Sequence, residues 1–157
     1  MHRSALRIGK AGRKGRGVFA SEGIPEGTVV ARYAGRERWI WDIPKALWER
    51  CLRVGYDRYV VPSRGSIGWY LNHSCDPNCG IRGSREVVAL RMIPRGEEVT
   101  FDYSTNVGWS GFAMKCSCGA RNCRGTIRSY WSLSEGSKEK YGRNVSEYLL
   151  KSKPQDR

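Results

Sequence analysis

With 157 residues, 28 Lys and Arg against 15 Asp and Glu, and a formal net charge of +13, the chain reads as one basic domain, able to bury roughly two-thirds of its unfolded surface without a disulfide scaffold. No apolar run approaches a membrane span and no early stretch resembles a signal peptide, so an intracellular location, nuclear or cytoplasmic, is expected. In such a reducing compartment the six cysteines are expected as thiols or metal ligands, and the positive field attracts nucleic acid or an acidic protein face.

Short β runs and tight turns open the chain. Lys14-Gly15-Arg16-Gly17 forms a G-x-G turn ahead of a strand at Val18-Phe19-Ala20. Ile24-Pro25-Glu26-Gly27 places Pro25 at the first central position of a turn and Gly27 at its exit, before a strand over Thr28–Tyr33. Pro44, Leu47, Trp48, Cys51 and Leu52 share one helical face, which predicts a single helix near residues 42–54 with Cys51 as a small buried apolar residue. Tyr59-Val60-Val61 and Arg85–Leu90 read as further strands. The turn pattern returns in Ile93-Pro94-Arg95-Gly96, before a strand over Glu98–Phe101. Asn144-Val145-Ser146-Glu147 has the spacing of a helix start, with Asn144 as the cap, and residues 151–157 read as a polar, frayed end.

Metal chemistry concentrates in two segments. Lys115-Cys116-Ser117-Cys118-Gly119-Ala120-Arg121-Asn122-Cys123 arranges its thiols as C-x-C-x4-C around a glycine turn, one ligand short of a tetrahedral structural zinc. The missing donor is expected in Asn72-His73-Ser74-Cys75-Asp76-Pro77-Asn78-Cys79, where chemistry alone does not choose between Cys75 and Cys79.

In chain order, Lys14–Phe19, Asn72–Asn78, Gly96–Tyr103 and the cysteine run closely resemble a SET-domain protein lysine methyltransferase with a zinc-binding post-SET segment. The resemblance implies a mostly β chain with short helices, in which several small β-sheets surround a pseudoknot. It divides the chain into a SET domain over 6–112 carrying the helical insertion, a post-SET zinc segment over 113–127, and a C-terminal extension with a short helix over 128–157. It implies S-adenosylmethionine binding by Lys14, Gly15, Arg16, Gly17, Tyr70, Asn72 and His73. Tyr103 is implied as the central catalytic residue, and Tyr33 and Phe101 as walls of a lysine channel. Phe at position 101, rather than Tyr, leans toward di- or trimethylation. The implied zinc ligands are Cys75, Cys116, Cys118 and Cys123, leaving Cys79 as a free thiol.

Three positions depart from the family pattern. Trp69 stands where many members carry Arg, Arg36 where an acidic residue often follows Tyr-x-Gly, and Thr126 where an aromatic often packs on the cofactor, with Tyr130 and Trp131 as nearby aromatics. The substrate expected from the resemblance is a lysine of a histone, nucleosome or other chromatin-associated protein, with non-specific nucleic-acid contact through the basic surface and no membrane role. Methylation of a non-histone protein, a catalytically weak SET-like module that binds chromatin or nucleic acid, and a zinc-stabilised interaction protein are the alternatives.

Overall fold

A computed structural model describes residues 5–154. Twelve strands and three short α-helices follow in the order β1 (Leu6–Lys10), β2 (Arg16–Ala20), β3 (Val29–Arg32), β4 (Gly35–Trp39), β5 (Leu52–Arg53), β6 (Arg58–Pro62), α1 (Ile67–Tyr70), β7 (Asn72–His73), β8 (Cys79–Arg82), β9 (Glu86–Ala89), β10 (Glu98–Phe101), β11 (Ala113–Lys115), β12 (Thr126–Arg128), α2 (Glu135–Tyr141) and α3 (Glu147–Leu150). The largest sheet runs β1-β2-β10-β8-β9-β3, with β7 beside β10; β4-β6-β5 and β11-β12 form two smaller sheets. Among the described residues no helix is long and apolar enough to cross a membrane.

The site is organised by β10. Its first half pairs antiparallel with β2, Glu98 opposite Phe19 and Val99 opposite Val18. Its second half runs parallel to β7, Thr100 beside Asn72 and Phe101 beside His73, and Phe101 also pairs with Cys79 of β8. Alternation along the strand turns Val99 and Phe101 into the core with Val18, Ile81 and Val87. The buried Asn78 side chain holds the junction: its Nδ2 donates to the Glu98 carbonyl (2.8 Å) and its Oδ1 accepts from Thr100 N–H (3.0 Å). Two regions distant in sequence, β2 and the Asn72–Arg82 segment, therefore meet on one short strand.

The two Pro-x-Gly turns meet in space. Ile24 and Ile93 exchange both backbone hydrogen bonds, each 2.9 Å. Thr28 N–H donates to the Pro25 carbonyl and Glu97 N–H to that of Pro94, so each proline opens its turn instead of occupying the first central position. Gly27 (φ +78°) and Gly96 (φ +89°) hold the second central position, where a positive φ favours glycine.

The helix expected near residues 42–54 is replaced by two 3-10 turns, Ile40–Asp42 and Lys45–Arg50, followed by β5. Pro44 caps the second turn with an extended backbone, and Leu52 bonds across to Val60 as part of a sheet. The apolar spacing that suggested a helical face is used by a satellite core, in which Leu47 and Trp48 pack on Ile43, Cys51 and Tyr59. Cys51 is buried there, as expected, and burial pushes its thiol up to about 11.

At the C-terminus α3 starts after Ser146, and Asn144 is not its cap. The chain is pinned before the helix begins: the Asn144 carbonyl accepts from Ile81 N–H (3.1 Å), and Ser146 N–H donates to Thr105 (2.9 Å). Helix α2, which sequence reading did not anticipate, is capped by Ser134, whose side chain accepts from Ser137 N–H, and ends at Gly142 (φ +53°). The Ser134-x-x-Ser137 and Gly142 signals were legible, but seven residues carry too little periodicity to announce a helix.

Candidate active site

The Lys14–Gly17 turn leads into one wall of the site. Gly15 has φ +80° and follows a 3-10 turn over Gly12–Lys14. A Cβ on Gly17 would stand 2.5 Å from Glu98 Oε1 and 2.9 Å from Asn72 Nδ2, so only glycine fits unless those side chains move. Asn72 Nδ2 donates to the Arg16 carbonyl (2.9 Å) and to Glu98 Oε1 (2.8 Å), and Lys14 Nζ meets Glu98 Oε2 at 2.5 Å. The Arg16 guanidinium lies 5.2 Å from the Tyr70 ring centroid. Glu98 thus joins the G-x-G turn to the Asn-His strand. Its sequence signal was the strand alternation that turns Glu98 away from the core face of Val99 and Phe101; sequence reading used Glu98 only as part of a motif.

Tyr33, Phe101 and Tyr103 form an aromatic cluster. The Tyr33 and Phe101 rings stand edge to face at 6.4 Å, and the Phe101 and Tyr103 centroids are 5.0 Å apart. The Tyr103 hydroxyl donates to the Leu71 carbonyl (2.8 Å), and the Tyr103 N–H donates to His73 Nδ1 (3.1 Å). Burial pushes both tyrosine phenols above their ordinary value, so each is a neutral hydroxyl near pH 7. Such groups orient a ligand but do not serve as bases.

One cavity of about 1130 Å³ reaches from the edge of this wall to the aromatic cluster, and Gly15, Arg16, Gly17, Tyr70 and His73 are not among its lining residues. Lys14 and Asn72 line it together with Tyr33, Phe101 and Tyr103, and Trp48, Tyr56, Trp109 and Phe112 supply further aromatic wall. Trp69 also lines it, with the guanidinium carbons of Arg50 and Arg64 at 4.8 and 5.7 Å from its ring. Positive charge therefore stands beside Trp69. Thr126 pairs with Lys115 in the small sheet, while Tyr130 packs on Leu133, Tyr141 and Val145 and lies edge-on to Trp131. Neither Tyr130 nor Trp131 lines the cavity.

Beneath the aromatic cluster the cysteine run meets the polar loop. Cys75 Sγ is 3.7 Å from Cys116 Sγ, and Cys123 Sγ is 3.6 Å from Cys116 Sγ. His73 Nε2 and the sulfurs of Cys75, Cys116 and Cys118 all lie within 4.8 Å of one another. Thiolates bound about 2.3 Å from a tetrahedral zinc stand about 3.8 Å apart, so the observed separations fit that ion. That group includes His73 and not Cys123, so distance favours His73 for the fourth position, while hydrogen bonding disfavours it. Its Nδ1 accepts from Tyr103 N–H, which leaves Nε2 to carry the proton and point it at Cys75 Sγ, 3.3 Å away. Burial holds the ring neutral by pulling it down to about 4. Cys79 is turned into the core at 0% exposure, where burial pushes its thiol up to about 12.

A buried ion pair, unread in the sequence, braces the site from behind. Asp102, between Phe101 and Tyr103, is 0% exposed and accepts from both terminal nitrogens of Arg124, from Ser104 N–H and from the Tyr141 hydroxyl. The Arg124 backbone N–H faces Cys75 Sγ at 3.4 Å. Nearby, Asn106 exchanges hydrogen bonds with the Arg53 backbone and donates to Ser146 Oγ.

The SET domain family profile matches residues 15–104 of the chain. The Histone H3-lysine(4) N-trimethyltransferase ATX1 of Arabidopsis thaliana is 32% identical over 144 residues, covering 80% of this chain and 13% of that protein. Histone-lysine N-methyltransferase 2B of Homo sapiens is 31% identical over 140 residues, covering 78% of this chain and 5% of that protein. The chain thus spans a small fraction of the curated relatives it matches. Among solved structures, KRYPTONITE in complex with mCHG DNA and SAH superposes with a TM-score of 0.59 at 27% identity, covering 78% of this chain and 28% of that one. The methyltransferase domain of human SETMAR superposes at 0.60 and 24% identity over 79% of this chain and 58% of that one, a likeness of fold.

Proposed function

The chain belongs to the SET-domain family, and on that premise we propose that it is a protein lysine methyltransferase that moves a methyl group from S-adenosylmethionine to a lysine ε-amine of a histone or other chromatin-associated protein. The observation that carries the reading is the single cavity bounded by Lys14 and Asn72 together with the aromatic cluster of Tyr33, Phe101 and Tyr103. The names of the relatives support the substrate class, and with it residence on chromatin. The SAH in the KRYPTONITE complex supports the cofactor.

In this reading Lys14, Gly15, Arg16, Gly17, Tyr70, Asn72 and His73 hold the cofactor, His73 through its backbone because both ring nitrogens are taken by Tyr103 N–H and Cys75 Sγ, and the cofactor when bound supplies an electrophilic methyl group on a cationic sulfonium. Gly17 permits close backbone approach, and Asn72 is held in place by Glu98. A lysine amine is neutral in about one molecule in two and a half thousand at pH 7. The aromatic walls at Tyr33 and Phe101 disfavour the ammonium form by excluding water, so proton loss to solvent precedes attack without a dedicated strong base. Tyr103, anchored on the Leu71 carbonyl, presents its oxygen lone pairs to orient the amine. Phe101 brings no hydroxyl to the wall, leaving room for a second and third methyl group.

Cys75, Cys116, Cys118 and Cys123 are the set we assign to zinc, whose four thiolates leave no open position for water, so the metal acts as a cross-link. The domain division follows: a SET domain over 6–112, a zinc segment over 113–127 and an extension over 128–157. The extension is tied to the segment that follows β10, Tyr141 through Asp102 and Ser146 through Asn106.

Incubation with labelled S-adenosylmethionine and a panel of nucleosomes, histones and whole-cell proteins, followed by mass spectrometry, tests the activity. Label on a lysine of chromatin protein supports it, and label confined to other proteins redirects the substrate. Calorimetry separates an inactive SET-like module, for which no cofactor binding is expected.

A further inference from the structure

The strand β4 and the turn after it carry an aromatic and cationic surface that the reaction does not use. Trp39 and Trp41 are 42% and 67% exposed and stack face to face, with ring centroids 5.0 Å apart and planes inclined by 8°. The guanidinium of Arg58, opposite Trp39 on β6, stands 4.4 Å from the Trp39 centroid and is itself fixed by Glu37 at 2.7 Å. Three planar groups are thus layered before any ligand arrives, and the exposure of Trp41 leaves ring surface open to continue the stack. β4 is an edge strand, and Arg36, Glu37, Arg38 and Trp39 along it are all exposed; alternation sets Arg36 and Arg38 on the opposite face from Trp39, so a ligand stacked on the tryptophans reaches them across the free edge of β4. Arg36 and Arg38 have no ion-pair partner among the described residues, whereas Glu37 is shared by Arg58 and Arg85. Arg36, Glu37, Arg38, Trp39, Asp42 and Arg58 line a shallow hollow of about 330 Å³, and Trp41 stands outside it.

From this arrangement we infer that the Trp39–Trp41 face binds single-stranded nucleic acid, a base stacking on Trp41 while Arg36 and Arg38 contact the flanking phosphates. The chemistry asks for a ligand that is both anionic and planar. A duplex offers phosphates but keeps its base faces stacked internally, and an acidic peptide offers charge without rings. Single strands supply both, and base–aromatic stacking tolerates any sequence. The net charge of +13 favours the same class of partner through counterion release. The inference does not depend on methyl transfer.

Fluorescence anisotropy with the full chain tests it, using a short labelled single-stranded RNA, the DNA of the same sequence, the corresponding duplex, and poly-glutamate, each at two salt concentrations. Trp41→Ala should weaken the single strands about tenfold or more while leaving duplex affinity unchanged, and Trp41→Phe should restore most of the loss. Arg36→Glu with Arg38→Glu should flatten the salt dependence of single-strand binding more than the equal charge reversal at Arg95 and Arg143. Circular dichroism confirms folding of each variant. A preference between the RNA and DNA arms identifies the source of the strand. Equal affinity of the parent and Trp41→Ala for both single strands overturns the inference, as does poly-glutamate binding more tightly than either.

Discussion

Arg124 grips the carboxylate of Asp102 with both terminal nitrogens, Nη1 to Oδ2 at 2.8 Å and Nη2 to Oδ1 at 2.7 Å. The pair spans from the residue after β10 to the residue after the last cysteine of the metal run. A carboxylate buried this completely needs its partner: Arg124→Ala strands the charge and should cost about 3 to 5 kcal/mol of unfolding free energy. Tyr141→Phe removes one hydrogen bond to the same charged group and should cost about 1.5 to 3 kcal/mol. Urea titration of the zinc-loaded protein measures both.

Tyr103→Phe removes the hydroxyl that Leu71 orients. Single-turnover methyl transfer should fall about a hundredfold or more, the scale expected when a reacting group loses its positioning, while calorimetric affinity for S-adenosylmethionine stays close to that of the parent. Equal turnover by the variant would remove Tyr103 from its assigned role.

Phe101→Tyr adds a hydroxyl to a wall that already holds the rings of Tyr33 and Tyr103. The later methylation steps should slow by about tenfold relative to the first, a usual penalty for altered fit in a tight pocket. Mass spectrometry of the product should show monomethyl-lysine accumulating where the parent proceeds to di- or trimethyl-lysine.

Gly17→Ala forces its Cβ against Glu98 Oε1 and Asn72 Nδ2. Relief of that overlap disturbs the hydrogen bonds from Asn72 and Lys14, at about 1 to 3 kcal/mol. Cofactor affinity measured by calorimetry should drop about tenfold, with the zinc content unchanged.

Cys123→Ser and Cys75→Ala should each deplete bound zinc in metal analysis, whereas Cys79→Ala should retain it, because Cys79 faces the core. Chelation of the parent should lower activity together with stability by freeing the segment that carries Arg124. Full zinc retention by Cys123→Ser would shift the fourth ligand to His73.

The motif residues were legible because their signals are local. A glycine pair, an Asn-His dipeptide and closely spaced cysteines declare themselves by residue type and spacing, and β2, β3, β9 and β10 by β-rich runs and turn residues, whereas β7 and β8, which complete the main sheet, carried no such signal. The segment near residues 42–54 misled because apolar spacing cannot distinguish a helix from 3-10 turns followed by a strand. What decides it is Leu52 finding Val60 across a sheet. The placement of Pro25 and Pro94 within their turns likewise followed from the backbone pairing of Ile24 with Ile93.

By itself the sequence determined the family, the G-x-G turn, the Asn-His dipeptide and the cysteine run, since each signal depends on residues adjacent or nearly so in the chain; that Asn72 and His73 form a strand followed only from their pairing with β10. Only the tertiary structure decided that Glu98 clamps Asn72 and Lys14, that Asp102 is held by Arg124 and Tyr141, and that the Tyr103 N–H fixes the His73 tautomer. Those partners lie far apart in the chain. Their pairing follows from the cost of leaving buried polar groups unsatisfied once the sheets have packed, a constraint that leaves no periodic trace along the chain.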